Sequence, residues 1–337
     1  MKYLNNPNLP FTKKNYPGNR FEQGEFISDY PREQPSLAEV LKWQLTPNPQ
    51  KKEKEADKFV PRVQKHLSVP QMPENSLLWL GHSTFLLQLP GTRLLTDPVF
   101  FDLVTIKRKH PLPFPATKLH KLNYILYSHG HRDHFDEKSL KLLMQKNRSA
   151  TLLAPLNFDK LARRSGAQHI KTAAWFQQFD IPQGPEIIFL PALHWHRRGL
   201  LDFNSVLWGS FYIKTSGFSM YFAGDTGFAD HFEDIFNLLG PVDFCIMPIG
   251  ANKPRYIMKS SHVNPEEAAK ASNILQASVF IPMHYGTYDL SDEPPGEPFR
   301  KIRALKNDGK LHASLLTPAV GEVVNLQEHL GKSQASS

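Results

Sequence analysis

The segment Ser128–Asp136 (SHGHRDHFD) constrains this chain more than any other, because it sets His129, His131, Asp133 and His134 within six consecutive positions. Imidazole and carboxylate groups spaced this closely suit Zn2+ and ions of similar hardness. The run before it, Asn123–Ser128 (NYILYS), has the length and apolarity of a short buried strand. The run after it, Glu137–Met144, has helical spacing, with Asp136 placed to cap it. A fold that accepts this order carries the cluster on the loop leaving a strand's C-terminal end, where α/β proteins keep their sites.

Residues two apart in an extended loop point the same way, so His129 and His131 can grip one ion. Asp133 and His134 fall where the chain turns into the helix and can reach a second ion; two-metal hydrolytic sites hold their ions roughly 3.5–4 Å apart. Two histidines leave a tetrahedral shell open, so distant loops must supply more ligands. Pro191–His196 (PALHWH), Phe222–Gly227 (FAGDTG) and Ile281–Gly286 (IPMHYG) each put a His or Asp just after an apolar run that reads as a strand. In the first of these, His194 and His196 lie on the same face of an extended segment, so spacing leaves both open.

The order HxHxDH, then His, then GDTG, then a late His resembles the metallo-β-lactamase superfamily, across about Ser76 to Thr287. Within it, the chain is most similar to the N-acylphosphatidylethanolamine-hydrolysing phospholipases D. The stretches that carry this likeness are LLWLGHSTFLL (Leu77–Leu87), LLTDPVF (Leu94–Phe100), VLWGS (Val206–Ser210), FAGDTGF (Phe222–Phe228) and PIGANKPRYIMKSSHVNPEEA (Pro248–Ala268). Bacterial ascorbate-6-phosphate lactonases share the GHST, TDP and HxHxDH elements. The resemblance implies an α/β fold, a four-layer αββα sandwich of two mixed β-sheets. It implies one metal held by His129, His131 and His194, a second held by Asp133, His134 and His284, and Asp225 bridging the two. His194 is preferred to His196 because Trp195 follows it, as Trp follows the family's histidine. Two Zn2+ per chain are expected, with Mn2+ and Fe2+ as alternatives.

Such a pair of ions makes hydroxide available near neutral pH, and Asp133 is expected to orient it. His262 is the candidate helper, just before Asn264-Pro265-Glu266-Glu267, a helix start with a cap, a proline and acids in the first turn. That start, with Lys253, Arg255 and Lys259 on the preceding loop, is the expected phosphate-recognising region; Lys253 and Arg255 are its candidate contacts. His82 in GHST is a weaker candidate for approaching the site. Asp97 in TDP is expected to orient a ligand histidine.

The expected reaction is a phospholipase D-type phosphodiesterase acting on N-acylphosphatidylethanolamine-like or related phosphodiesters. The alternative is a lactonase or another ester or amide hydrolase on the same fold. A net charge of +8 fits a phospholipid or phosphorylated small-molecule substrate and is compatible with peripheral membrane contact. No nucleic-acid motif is present and no nucleic-acid partner is expected; a homodimer is compatible. One cysteine excludes an internal disulfide, and no apolar run is long enough for a signal peptide or a transmembrane helix, so a cytoplasmic protein is expected.

Residues 1–75, rich in Pro, Asn and Lys, are expected to wrap the body, with one helix over Ser36–Leu45. Residues 76–330 are expected to form the catalytic domain and 331–337 a flexible tail. A meander is expected over Leu77–Leu80, Thr84–Leu89 and Arg93–Thr96, and further strands at Thr151–Ala154, Val206–Ile213, Phe218–Phe222, Val242–Ile249 and Ser278–Pro282. Phe100–Leu119 reads as a long irregular insertion that lines an apolar groove or caps the core.

Overall fold

The computed structural model describes residues 2–330; the expected tail, 331–337, lies outside them. Two seven-stranded sheets pack face to face. The first runs, edge to edge, Val323–Asn325, Ser76–Gly81, Thr84–Leu89, Thr92–Thr96, Tyr124–Leu126, Thr151–Pro155 and His169–Ala173. The second runs Gln177–Gln178, Glu186–Leu190, Ser210–Lys214, Ser219–Phe222, Phe244–Pro248, Val279–Met283 and Ser314–Leu315. Each has three antiparallel pairings followed by three parallel ones. Helices cover the outer faces, which gives the four-layer αββα sandwich.

The strands alternate as a two-sided sheet requires. Leu77, Trp79, Phe85 and Leu87 belong to the larger core shared with the second sheet. Their neighbours Leu78, Leu80 and Leu86 join Leu140, Leu143 and Met144 of the helix Glu137–Lys146. That helix begins where expected, with Asp136 accepting from Lys138 and Ser139 N–H. The helix Pro265–Ile274 likewise starts on the Asn264 cap, with Glu267 completing a reciprocal capping box.

The strand expected over Val206–Ile213 begins only at Ser210. Leu207 N–H donates to Leu156 O and Gly209 N–H to Ser128 O, so these residues tie the second sheet to loops of the first instead of extending their own ladder. Phe100–Leu119 is irregular except for the 3-10 turn Ala116–Lys118. Phe100, Phe114 and Leu119 plug the helix-side core, so the segment caps that core.

Residues 2–75 hold a three-stranded sheet (Lys2–Leu4, Asn19–Glu22, Glu25–Ile27) and the helices Leu37–Leu45 and Lys51–Ala56. Phe26 is fully buried, Tyr30 OH donates to Asp234, Trp43 Nε1 donates to Asp292 and Asp57 pairs with Arg300. Among the described residues no helix is long and apolar enough to cross a membrane.

Candidate metal centre

Six strand ends meet at one edge of the sandwich. Asp97 follows Thr92–Thr96, the HxHxDH loop follows Tyr124–Leu126, and His194 follows Glu186–Leu190. Asp225 follows Ser219–Phe222, His284 follows Val279–Met283, and His82 sits in the turn after Ser76–Gly81. Two glycines make this convergence sterically feasible. A Cβ on Gly130, between the first two histidines, would lie 2.4 Å from His196 Cε1. Gly224 has φ +60° and its Cβ would lie 2.6 Å from that of Ser128.

The side chains form two nests. In one, His131 Nδ1 lies 3.0 Å from both His129 Nε2 and His194 Nε2. Three ring nitrogens facing one point repel unless a proton or cation sits among them, and ligands of a tetrahedral zinc lie roughly 3.3 Å apart. In the other, Asp133 Oδ2 lies 3.2 Å from His284 Nε2 and 3.6 Å from His134 Nε2. Asp225 stands between them. Its Oδ2 is 3.8 Å from His129 Nε2 and 3.9 Å from His194 Nε2, and its Oδ1 is 3.1 Å from His134 Nε2 and 3.3 Å from His284 Nε2. His134 Nε2 and Asp225 Oδ1 are buried, and neither makes a geometrically sound hydrogen bond. Buried polar atoms are normally satisfied, so these orphans fit divalent ions as the missing partners. The groups that could hold a metal contain all seven expected ligands, together with His82 and His262.

Electrostatics separates the histidines. Burial, reinforced by neighbouring imidazoles, holds His129 and His194 well below the ordinary histidine range. Burial would lower His134 and His284 too, but Asp225 and Asp133 outweigh it, raising His134 well above that range and His284 to about 9. Burial would raise both carboxyls; the histidines instead hold Asp133 and Asp225 well below the usual carboxylate range.

Behind the ligating faces lies a supporting layer. Asp97 Oδ2 is 2.7 Å from His134 Nδ1 and accepts from Ser128 Oγ at 2.5 Å. Ser128 Oγ is in turn 3.0 Å from His129 Nδ1, so one buried carboxylate orients a histidine of each nest. His194 Nδ1 faces Ser261 O at 3.0 Å. His82, only a weak candidate from sequence, contacts Asp133 Oδ2 at 3.1 Å through Nε2. His196 does not join either nest: it lies fully buried, its ring parallel to that of His131 with centroids 6.2 Å apart.

His262 lies beside the nests, Nδ1 3.8 Å from Asp225 Oδ2, and burial lowers its pKa to about 4. Lys253 and Arg255, the expected phosphate contacts, have acidic partners within the protein. Lys253 Nζ pairs with Glu297 Oε1 at 2.6 Å and donates to Gln50 Oε1 at 2.6 Å. Arg255 Nη2 donates to both oxygens of Glu267, at 2.9 and 2.8 Å, and Nη1 donates to His262 O. Both cations are neutralised within the protein, and neither lines the cavity above the nests, whose volume is about 600 Å3. Arg32 is among the residues of that cavity wall that sequence reasoning missed; an isolated arginine in a Pro-rich segment carries no signal of its own.

A two-sheet sandwich with paired His/Asp nests on its strand-end loops defines a metal-dependent hydrolase. The chain belongs to the metallo-β-lactamase superfamily: residues 92–285 match the family described as "Beta-lactamase superfamily domain". It is 32% identical to N-acyl-phosphatidylethanolamine-hydrolyzing phospholipase D 1 of Caenorhabditis elegans, over 73% of this chain and 74% of that protein. It is 27% identical to the UPF0173 metal-dependent hydrolase MK1542 of Methanopyrus kandleri, over 69% of this chain and 93% of that one. Among solved structures, the metallo hydrolase Igni18 of Ignicoccus hospitalis shares the fold with a TM-score of 0.52 at 22% identity, covering 74% of this chain and 97% of its own.

Proposed function

We propose that the protein is a dinuclear metal-dependent phosphodiesterase of the phospholipase D type, acting on N-acylphosphatidylethanolamine-like or related phosphodiesters. The observation that carries this reading is the split Asp225 carboxylate, one oxygen toward each nest. In this reading His129, His131 and His194 would hold one ion, Asp133, His134 and His284 a second, and Asp225 would serve both. Divalent ions held there would supply a water acidified from about 15.7 toward about 7, so that no Ser or Cys nucleophile is needed. The His-rich donor set favours Zn2+ over Mn2+ or Fe2+.

The chain's own groups then position the reactants. Asp133 lines the cavity and its Oδ2 is 3.1 Å from His82 Nε2, which would hold the carboxylate in place to orient incoming water. His262 is neutral at pH 7. Its ring lines the cavity beside Asp225, where a neutral imidazole can accept a hydrogen bond from water. Residues 2–75 act in this reading as an extension of the catalytic domain. The likeness to the phospholipase D of Caenorhabditis elegans supports the lipid diester as substrate.

A second reading, a lactone or carboxylic-ester hydrolase, gains from one observation: Lys253 and Arg255, which would have marked a phosphate site, are internally paired. The deciding experiment loads the protein with Zn2+, Mn2+ or Fe2+ and assays bis-p-nitrophenyl phosphate, a micellar N-acylphosphatidylethanolamine and a simple lactone. Diester turnover that chelation abolishes is the expected result. Turnover of the lactone alone would replace the first reading with the second.

A further inference from the structure

We propose that Arg32 receives the anionic group of the substrate, so that the N-terminal region supplies a binding residue to the active site. The proposal rests on the hydrolase reading above and adds to it the group that recognises the substrate's charge.

Arg32 lines the same cavity as Asp133, Asp225 and His262. Its Nε donates to Ser260 O at 3.2 Å and its Nη2 to Ser261 Oγ at 3.2 Å, which fixes the guanidinium against the loop that leads to His262. Trp195, next to His194, lies against it, with the guanidinium carbon 5.4 Å from the ring centroid. The remaining nitrogen, Nη1, is buried and has no acceptor among the described residues.

Among the described residues no carboxylate pairs with this cation. Burial alone lowers its pKa, to about 10, with no acid opposing the shift. A charge withdrawn this far from water is normally paired, because desolvation penalises an isolated ion. Two other cations line the cavity, Arg132 and Arg197, but both are exposed to solvent and bond to the carbonyls of Arg198 and of Gly199 and Leu200. Lys253 and Arg255 are paired as described, and Arg198 donates to Gly130 O and Phe135 O and faces Glu137. Arg32 is therefore a rigid cation at the metal cavity that lacks a counterion, and its fork suits a phosphate diester or a carboxylate.

The test compares metal-loaded wild type, Arg32→Gln and Arg32→Lys at equal metal content. Calorimetry measures the binding of dimethyl phosphate and of butyrate; kinetics use bis-p-nitrophenyl phosphate and the uncharged p-nitrophenyl butyrate. Arg32→Gln is expected to weaken dimethyl phosphate binding about 10- to 100-fold. The loss in turnover should fall mainly on KM and be larger for the diester than for the uncharged ester, and Arg32→Lys should recover part of it. A loss confined to dimethyl phosphate identifies a phosphate anion; an equal loss for butyrate identifies recognition by charge, which also admits a carboxylate. Should Arg32→Gln fail to fold, Arg32→Met, whose stem still covers Trp195, serves the same comparison. Unchanged affinity for both anions overturns the proposal. Absence of diester turnover in the wild type would instead count against the phosphodiesterase reading, and the anion-binding arm would still decide the role of Arg32.

Discussion

Asp225 is where the two nests meet, and its two oxygens face different histidine sets at 3.1–3.9 Å. Replacing it by Asn removes the charge shared by both. Asp225→Asn is expected to lower metal affinity by more than the roughly 10- to 100-fold seen for partners one layer further out, with activity falling in parallel. Metal analysis after dialysis checks this; retention of two metals per chain would remove the bridging role. At this scale the sequence was informative because ligand spacing is local: His129, His131, Asp133 and His134 are confined by six positions of backbone. It was silent on the partners of Lys253 and Arg255, because a charge run does not reveal which acids it will meet. Glu297 and Glu267 reach those cations only through the packing of other helices.

At the scale of elements, the start of the helix Pro265–Ile274 shows the same division. Its cap was legible in Asn264-Pro265-Glu266-Glu267, and the structure has the reciprocal Asn264–Glu267 pair at 2.8 and 3.2 Å. Those bonds take up backbone donors that an anion would otherwise use. Asn264→Ala is therefore expected to lower stability by about 1 kcal/mol, read by denaturant unfolding, with little change in KM for the diester. A tenfold rise in KM would restore the helix start as a substrate site. Other elements left weak signals. The short strands of residues 2–27 gain their stability from docking, with Phe26 buried, more than from any pattern of their own. The expected strand from Val206 was shortened because its first residues bond to Leu156 and Ser128 across the sandwich.

Across the whole molecule, burial sets how stability responds to acid. His110 and His231 lie outside the nests, and burial lowers them to about 4 and about 3 respectively. In the unfolded chain both titrate near 6.5, so between that pH and the folded values the unfolded state binds more protons. Stability is then complete above about pH 6.5 and falls as pH drops below it, by up to about 1.4 kcal/mol per pH unit for each histidine. Thermal melts of the chelated protein against pH check this, so that metal release does not contribute. His231→Gln should flatten the slope; an unchanged slope would show that His231 is not held neutral by the fold.

The sequence by itself determined the repeated strand–loop–helix order, the strand-end position of the metal-competent groups and the caps of two helices. These depend on neighbours a few residues apart, which the chain carries with it. Tertiary structure decided which of His194 and His196 faces the cluster and how Asp225 divides its oxygens. It also decided that Lys253 and Arg255 meet acids while Arg32 meets none among the described residues. Each of these depends on the distance between groups far apart in the chain, and only packing two sheets against one another fixes such distances.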